Sequence, residues 1–262
     1  MSTTQLEKAE RFAQLHIGPA PFVMPNPWDA GTAQMLAKLG FDALATSSAA
    51  CAMALGRRDG EITRDEALAH ARAIVLATDL PVAGDLENGF GHAPADCALT
   101  IRLAGEAGLI GGSIEDASGD AARPLYDFNH AVDRVAAAAE AARAHPFRFT
   151  LTARTENYLR GNPDLDDTIR RLQAFEQAGA DVLFAPALPN LDAVRTVCAA
   201  LTKPVSFMNS IKGKSFSVAE LQAAGVRRVS LATSLYRAAM AGLQSAAREV
   251  KDGGTFGYLD RL

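Results

Sequence analysis

The chain has 262 residues, 48% of them hydrophobic and 21% charged, and a net charge of −4. That charge offers no basic footprint for nucleic acid, and no apolar run reaches the length of a membrane span. The N-terminus, Met1-Ser2-Thr3-Thr4, has no basic region leading into an apolar core, so the expected location is the cytoplasm. Cys51, Cys97 and Cys198 stand far apart and in no Cys-x-x-Cys spacing, which argues against a disulfide framework or structural zinc.

Helical and strand-like segments alternate along the chain. Residues 5–15 read as a helix inside an N-terminal extension, 1–20, placed to plug or flank the base of the domain. Phe22-Val23-Met24 is a short apolar strand ending at Pro25-Asn26-Pro27. A helix is predicted over 30–39, closed by Gly40. A strand over 41–45 comes next, then a helix over 65–77, with Thr63 and Glu66 in capping-box spacing. Strand 81–84 runs into Asp85-Leu86-Glu87, and helix 95–107 stops at Gly108. Strand 109–114 runs into Glu115-Asp116, followed by an alanine-rich helix over 131–144. Strand 147–153 runs into Arg154, and helix 166–178 stops at Gly179. The alternation ends with strands over 181–184, 204–208 and 226–232 and helices over 191–201, 218–224 and 235–250.

Eight strand–helix pairs, at a spacing of roughly 25–40 residues, fit βα units with their loops. No composition shift splits them. The expectation is therefore one domain over 1–262 in the α/β class, a (β/α)8 TIM barrel. A doubly wound sheet would carry a glycine fingerprint at its first β–α turn. The stretch Pro25-Asn26-Pro27-Trp28-Asp29-Ala30-Gly31 has none.

A barrel places its active site at the C-terminal ends of its strands. The polar residues there form two poles. Asp85, Glu87 and Glu115 are oxygen ligands of the kind Mg²⁺ takes, directly or through water. Arg154 offers a planar fork that suits a carboxylate or phosphonate. Ser47 and Ser48, at the second strand-to-loop junction, are placed to hold the other end of an anion. Asn209 ends the seventh strand. A cation facing an arginine across a small pocket suits an α-oxo acid, with the metal stabilising an enolate.

Asn26-Pro27-Trp28-Asp29-Ala30, Thr46-Ser47-Ser48-Ala49, Asp85-Leu86-Glu87-Asn88-Gly89-Phe90-Gly91, Gly112-Ser113-Ile114-Glu115-Asp116 and Ala153-Arg154-Thr155-Glu156 stand in one order and spacing. With them the chain resembles the isocitrate lyase and phosphoenolpyruvate mutase superfamily, from about Pro25 to Ala241. The resemblance implies a barrel whose last helix is exchanged between subunits of a homodimer or homotetramer. It implies Mg²⁺, with Mn²⁺ as a substitute, and small oxyacid substrates. It makes Asp85 the direct metal ligand, and Glu87 and Glu115 ligands through water. Arg154 becomes the substrate-carboxylate arginine, with Ser47 and Ser48 as its partners, and Asp59 a catalytic carboxylate near the substrate.

Two departures stand out. The loop Ala117-Ser118-Gly119-Asp120-Ala121-Ala122-Arg123-Pro124-Leu125-Tyr126-Asp127 lacks the Lys-Lys-Cys-Gly-His signature of the lyases, and the lysine and asparagine usual in the mutases. Glu87 stands where aspartate is usual. The expected function is a Mg²⁺-dependent lyase breaking a C–C bond in a small α-oxo or α-hydroxy acid, its proton donor unassigned. The alternatives are P–C mutase or hydrolase chemistry, a non-catalytic oxyacid-binding relative, and a phosphate-binding barrel.

Overall fold

Most helices carry their own start signal. Reciprocal capping boxes pair Thr4 with Glu7, Asp29 with Thr32, Thr63 with Glu66 and Ser217 with Glu220. In the computed structural model, which describes residues 3–261, these caps alternate with short apolar strands. In chain order the elements are α1 (Gln5–Ile17), β1 (Phe22–Met24), α2 (Ala30–Lys38), β2 (Leu44–Ala45), α3 (Ser48–Ala54), α4 (Arg64–Leu76), β3 (Val82–Asp85), α5 (Pro94–Glu106) and β4 (Gly111–Glu115). They continue as α6 (Phe128–Arg143), β5 (Thr150–Arg154), α7 (Leu165–Gln177), β6 (Val182–Phe184), α8 (Leu191–Ala199), β7 (Val205–Met208), α9 (Val218–Ala223), β8 (Arg228–Ser230) and α10 (Ser234–Arg248).

The strands form one parallel sheet in the order β1-β8-β7-β6-β5-β4-β3-β2. β1 and β2 lie at its two ends, and the gap between them is bridged by Ala45 N–H to the Pro25 carbonyl at 3.0 Å and by Asn26 Nδ2 to the Thr46 carbonyl at 2.9 Å. The sheet is thus a nearly closed (β/α)8 barrel. Its largest core lies between strands and helices, where Leu44, Leu86, Ile114, Leu151 and Phe207 face Ile74, Ile101 and Phe175. α1 does plug the base: Ala9, Phe12 and His16 are buried, and the Phe12 ring meets Phe22 edge-on at 6.0 Å.

α3 is an element the sequence reading lacked. Its run Ala49-Ala50-Cys51-Ala52 has no apolar–polar period to detect. It forms because Ser47 caps it, accepting from Ala50 N–H at 3.3 Å, while Ala50, Cys51 and Ala52 bury against the barrel. β2 is shorter than read, because only Leu44 and Ala45 find register partners on β3.

Gly111 opens β4 opposite Thr150. A Cβ there would stand 2.7 Å from the Thr150 carbonyl oxygen and 3.2 Å from Phe12. The backbone atom cannot yield without breaking the β4–β5 ladder, so Gly111→Ala is expected to cost about 1–3 kcal/mol, the range for overpacking. A thermal melt several degrees below wild type would show it; an unchanged melt would mean the base of the barrel has slack.

Candidate active site

The C-terminal strand ends open into a cavity of about 1150 Å³. Its wall includes Ser47, Ser48, Asp59, Asp85, Glu87, Glu115 and Arg154, so the barrel brings together seven of the eight residues singled out from the sequence. Asn209 is the exception. Its amide serves its own loop, donating to the Phe216 carbonyl at 2.9 Å and accepting from Phe216 N–H at 3.0 Å.

Asp85 ends β3 and is gripped from the α3 side. Its Oδ2 accepts from the Ser48 N–H at 3.1 Å and lies 3.0 Å from the Ser48 hydroxyl. That hydroxyl also lies 3.0 Å from Asp59 Oδ1. One hydroxyl has one proton, so two carboxylates compete for it. Burial, and then the Asp85 charge, raise the Asp59 carboxyl above its ordinary value. The Ser48 N–H is therefore engaged by Asp85, and the Ser47 hydroxyl caps α3.

Glu87 sits in a left-handed backbone conformation, φ 47°, rare outside glycine. The turn that imposes it is closed by Gly89 N–H to the Leu86 carbonyl at 2.9 Å. It leaves Glu87 Oε1 buried with no hydrogen-bond partner. Burial first, then Asp85 and Asp59, push this carboxyl up to about 7. Glu115, at the end of β4, is also raised well above its ordinary value, by burial and then by Glu156.

Arg154 ends β5 and joins these acids. Its Nε binds Glu156 Oε1 closely and lies 3.5 Å from Glu115 Oε2, and Nη1 is 4.0 Å from Asp85. Burial alone would favour deprotonation, but Glu156, Glu115 and Asp85 outweigh it and raise the guanidinium above its ordinary value. Among the described residues, neither Nη1 nor Nη2 donates a hydrogen bond, and Nη1 keeps only the 4.0 Å ion pair with Asp85.

The structure adds residues that sequence reasoning missed. Arg160 bridges Glu115 and Glu156, at 3.4 Å from each; its place four residues after Glu156 was the available signal. His92 also lines the cavity. Its Nδ1 shares a 2.8 Å hydrogen bond with the Tyr126 hydroxyl, which accepts from Asn88 Nδ2 at 3.4 Å. The 117–127 loop is pinned to itself by Ser118 N–H to the Pro124 carbonyl at 3.0 Å, while Arg123 points to solvent. Beneath it, Asp116 accepts from Arg171, Thr155 and the Glu156 N–H, which ties the loop base to the end of β5.

Over residues 12–251 the chain matches the family model described as phosphoenolpyruvate phosphomutase. The chain belongs to the phosphoenolpyruvate phosphomutase family. It is therefore a member of the isocitrate lyase and phosphoenolpyruvate mutase superfamily that the strand-end motifs resemble. A 2-methylisocitrate lyase of Halalkalibacterium halodurans, in the same superfamily, is 29% identical over 261 residues, covering 96% of this chain and 85% of the relative. A crystal structure from Burkholderia cenocepacia J2315, provisionally described as a lyase/mutase, is 52% identical, with a TM-score of 0.97, covering 98% of this chain and 92% of that one. The crystal structure of 2,3-dimethylmalate lyase has a TM-score of 0.87 at 26% identity, covering 95% and 89% of the two chains.

Proposed function

We propose that this chain is a metal-dependent lyase that breaks a C–C bond in a small α-oxo or α-hydroxy carboxylic acid. The observation that carries the reading is the presence of Asp85, Glu87 and Glu115 with the guanidinium of Arg154 on one cavity wall. The family relatives named as lyases of methylisocitrate and dimethylmalate support it.

The residues present fit a hard cation. Glu87 Oε1 is buried and unpartnered, and two carboxylates share one serine proton, so the wall has more negative charge than the protein satisfies. Asp85 would hold Mg²⁺ or Mn²⁺ directly, with Glu87 and Glu115 acting through water. Among the described residues no three His, Cys, Asp or Glu side chains close around one point, so a bound ion would draw its remaining ligands from water. When bound, such an ion supplies positive charge to an oxygen that becomes enolate-like as the bond breaks.

The chain's own residues do the rest. Arg154 grips the substrate carboxylate with its outer guanidinium edge, beside Ser47 and Ser48. Asp59 and His92 are the proton-transfer groups. His92 is the one imidazole on the cavity wall, and no Cys, Lys or Tyr lines it among the described residues. Tyr126 fixes its ring through Nδ1, and among the described residues Nε2 makes no hydrogen bond. Replacing His92 by Gln is expected to lower kcat by about 10²-fold. An unchanged kcat would leave Asp59 as the sole proton-transfer group.

The wider reading is a homodimer or homotetramer in the cytoplasm with its last helix exchanged. In support, α10 has no buried residue and leaves Leu243 61% exposed. Among the described residues, no helix is long and apolar enough to cross a membrane.

The test is a panel of methylisocitrate, dimethylmalate, oxaloacetate and phosphonopyruvate with Mg²⁺. Pyruvate or oxalate released from a C–C substrate, and lost in excess chelator, is the expected result. Phosphate from phosphonopyruvate alone would favour the P–C reading, for which the matching family model is the support. Tight oxalate binding without any turnover would indicate a binding protein.

A further inference from the structure

Arg228 lies on β8 with its side chain inside the barrel, below the catalytic cavity, and is 4% exposed. Its Nε donates to the Ser206 hydroxyl at 3.0 Å and Nη2 to the Thr152 hydroxyl at 3.1 Å. Its Nη1 meets His16 Nε2 at 3.5 Å. All three partners are uncharged. His16 donates its Nδ1 proton to the Phe12 carbonyl at 2.9 Å, so Nε2 is its accepting nitrogen. Burial, and then Arg228 itself, push the His16 imidazole down to about 3, so it stays neutral. Among the described residues, no carboxylate lies within 4 Å of the guanidinium. Among the described residues, Arg154 pairs with Glu156 and Arg171 with Asp116, whereas Arg134, 1% exposed, is held by the backbone carbonyls of Asn88 and His92.

A guanidinium has five donors, and three are used here. The side chain borders a small chamber of about 50 Å³, lined also by Ser113, Thr152, Asn26 and Ser230. One water needs about 10–15 Å³ of such space, so the chamber has room for an ion and a water or two. Its upper wall includes Asp85 and Arg154, the floor of the catalytic cavity. The Asp85 carboxylate, on the wall of the same chamber, is held by Ser48 and lies 4.0 Å from Arg154.

We propose that this chamber binds a small monovalent inorganic anion of the halide class, with Arg228 as its charged ligand and the Thr152 and Ser113 hydroxyls around it. A buried charge with only neutral partners is disfavoured unless a counter-charge accompanies it. The chamber is too small for the oxyacid substrates considered above, so its anion would be distinct from the substrate, although the chamber shares Asp85 and Arg154 with the catalytic cavity.

Crystals of the wild-type protein soaked in bromide are expected to show an anomalous peak within hydrogen-bonding reach of Arg228. In solution, chloride or bromide is expected to raise Tm over gluconate at equal ionic strength. That increment should vanish in Arg228→Gln and persist in Arg228→Lys. A chamber holding only water in bromide overturns the proposal, and so does a halide increment that Arg228→Gln retains. Should Arg228→Gln fail to fold, the bromide peak in the wild type decides.

Discussion

Replacing Asp85 by Asn is expected to lower metal-dependent turnover by at least about 10³-fold, a loss of roughly 4 kcal/mol of transition-state stabilisation. The substitution is close to isosteric. The amide oxygen can still accept from the Ser48 N–H, so α3 keeps its anchor and the fold should survive. What is lost is the negative charge at the end of β3, the charge that faces Arg154 and raises both Asp59 and Glu87. The check has two arms, turnover on whichever panel substrate the wild type accepts and Mn²⁺ binding by calorimetry. Loss of both supports Asp85 as the direct ligand. Full turnover with intact metal binding would remove Asp85 from that role and transfer it to Glu87 or Glu115.

Arg154 should show a different pattern, because it is both a structural counter-ion and an anion fork. In Arg154→Gln the buried acids Glu115 and Glu156 lose their main cation, and Arg160, half exposed, replaces it only in part. Breaking a buried pair by removing one partner costs about 3–5 kcal/mol, which for a chain of this size is a fall of about 6–20 °C in Tm. Arg154→Lys keeps the charge and should recover most of the stability. It cannot present two parallel N–H groups to a carboxylate, so KM for the oxyacid should remain at least about tenfold raised. Melting curves and KM values for the two variants separate the roles. A lysine variant with wild-type KM would make Arg154 a purely structural counter-ion.

The legible part of the site follows from one rule. Barrel strands present their C-terminal ends to one face, so Asp85, Glu115 and Arg154, each directly after an apolar strand, had to meet. Ser47 and Ser48 were legible for the same reason, but their use was not. Whether a serine N–H holds a substrate or a neighbouring carboxylate depends on what lies across the strand gap, and here it is Asp85, 37 residues away. Asn209 also ends a strand, yet its amide turned inward to its own loop, where Phe216 offers both a donor and an acceptor.

By itself, the sequence determined the eight-fold alternation, the helix starts and which polar residues stand at the strand ends, because periodicity, caps and strand exits are local properties of the chain. Only the tertiary structure decided α3, the His92–Tyr126 pair, the Arg160 bridge and the uncompensated Arg228. α3 exists because a barrel wall is there to bury three small side chains. The others are pairings between residues brought together by closure of the barrel, and their consequences depend on burial. The strand-end carboxylates were readable as oxygen donors in kind; that Glu87 would be left buried and unpartnered, with Asp59 and Asp85 sharing one serine, required the fold that desolvates them.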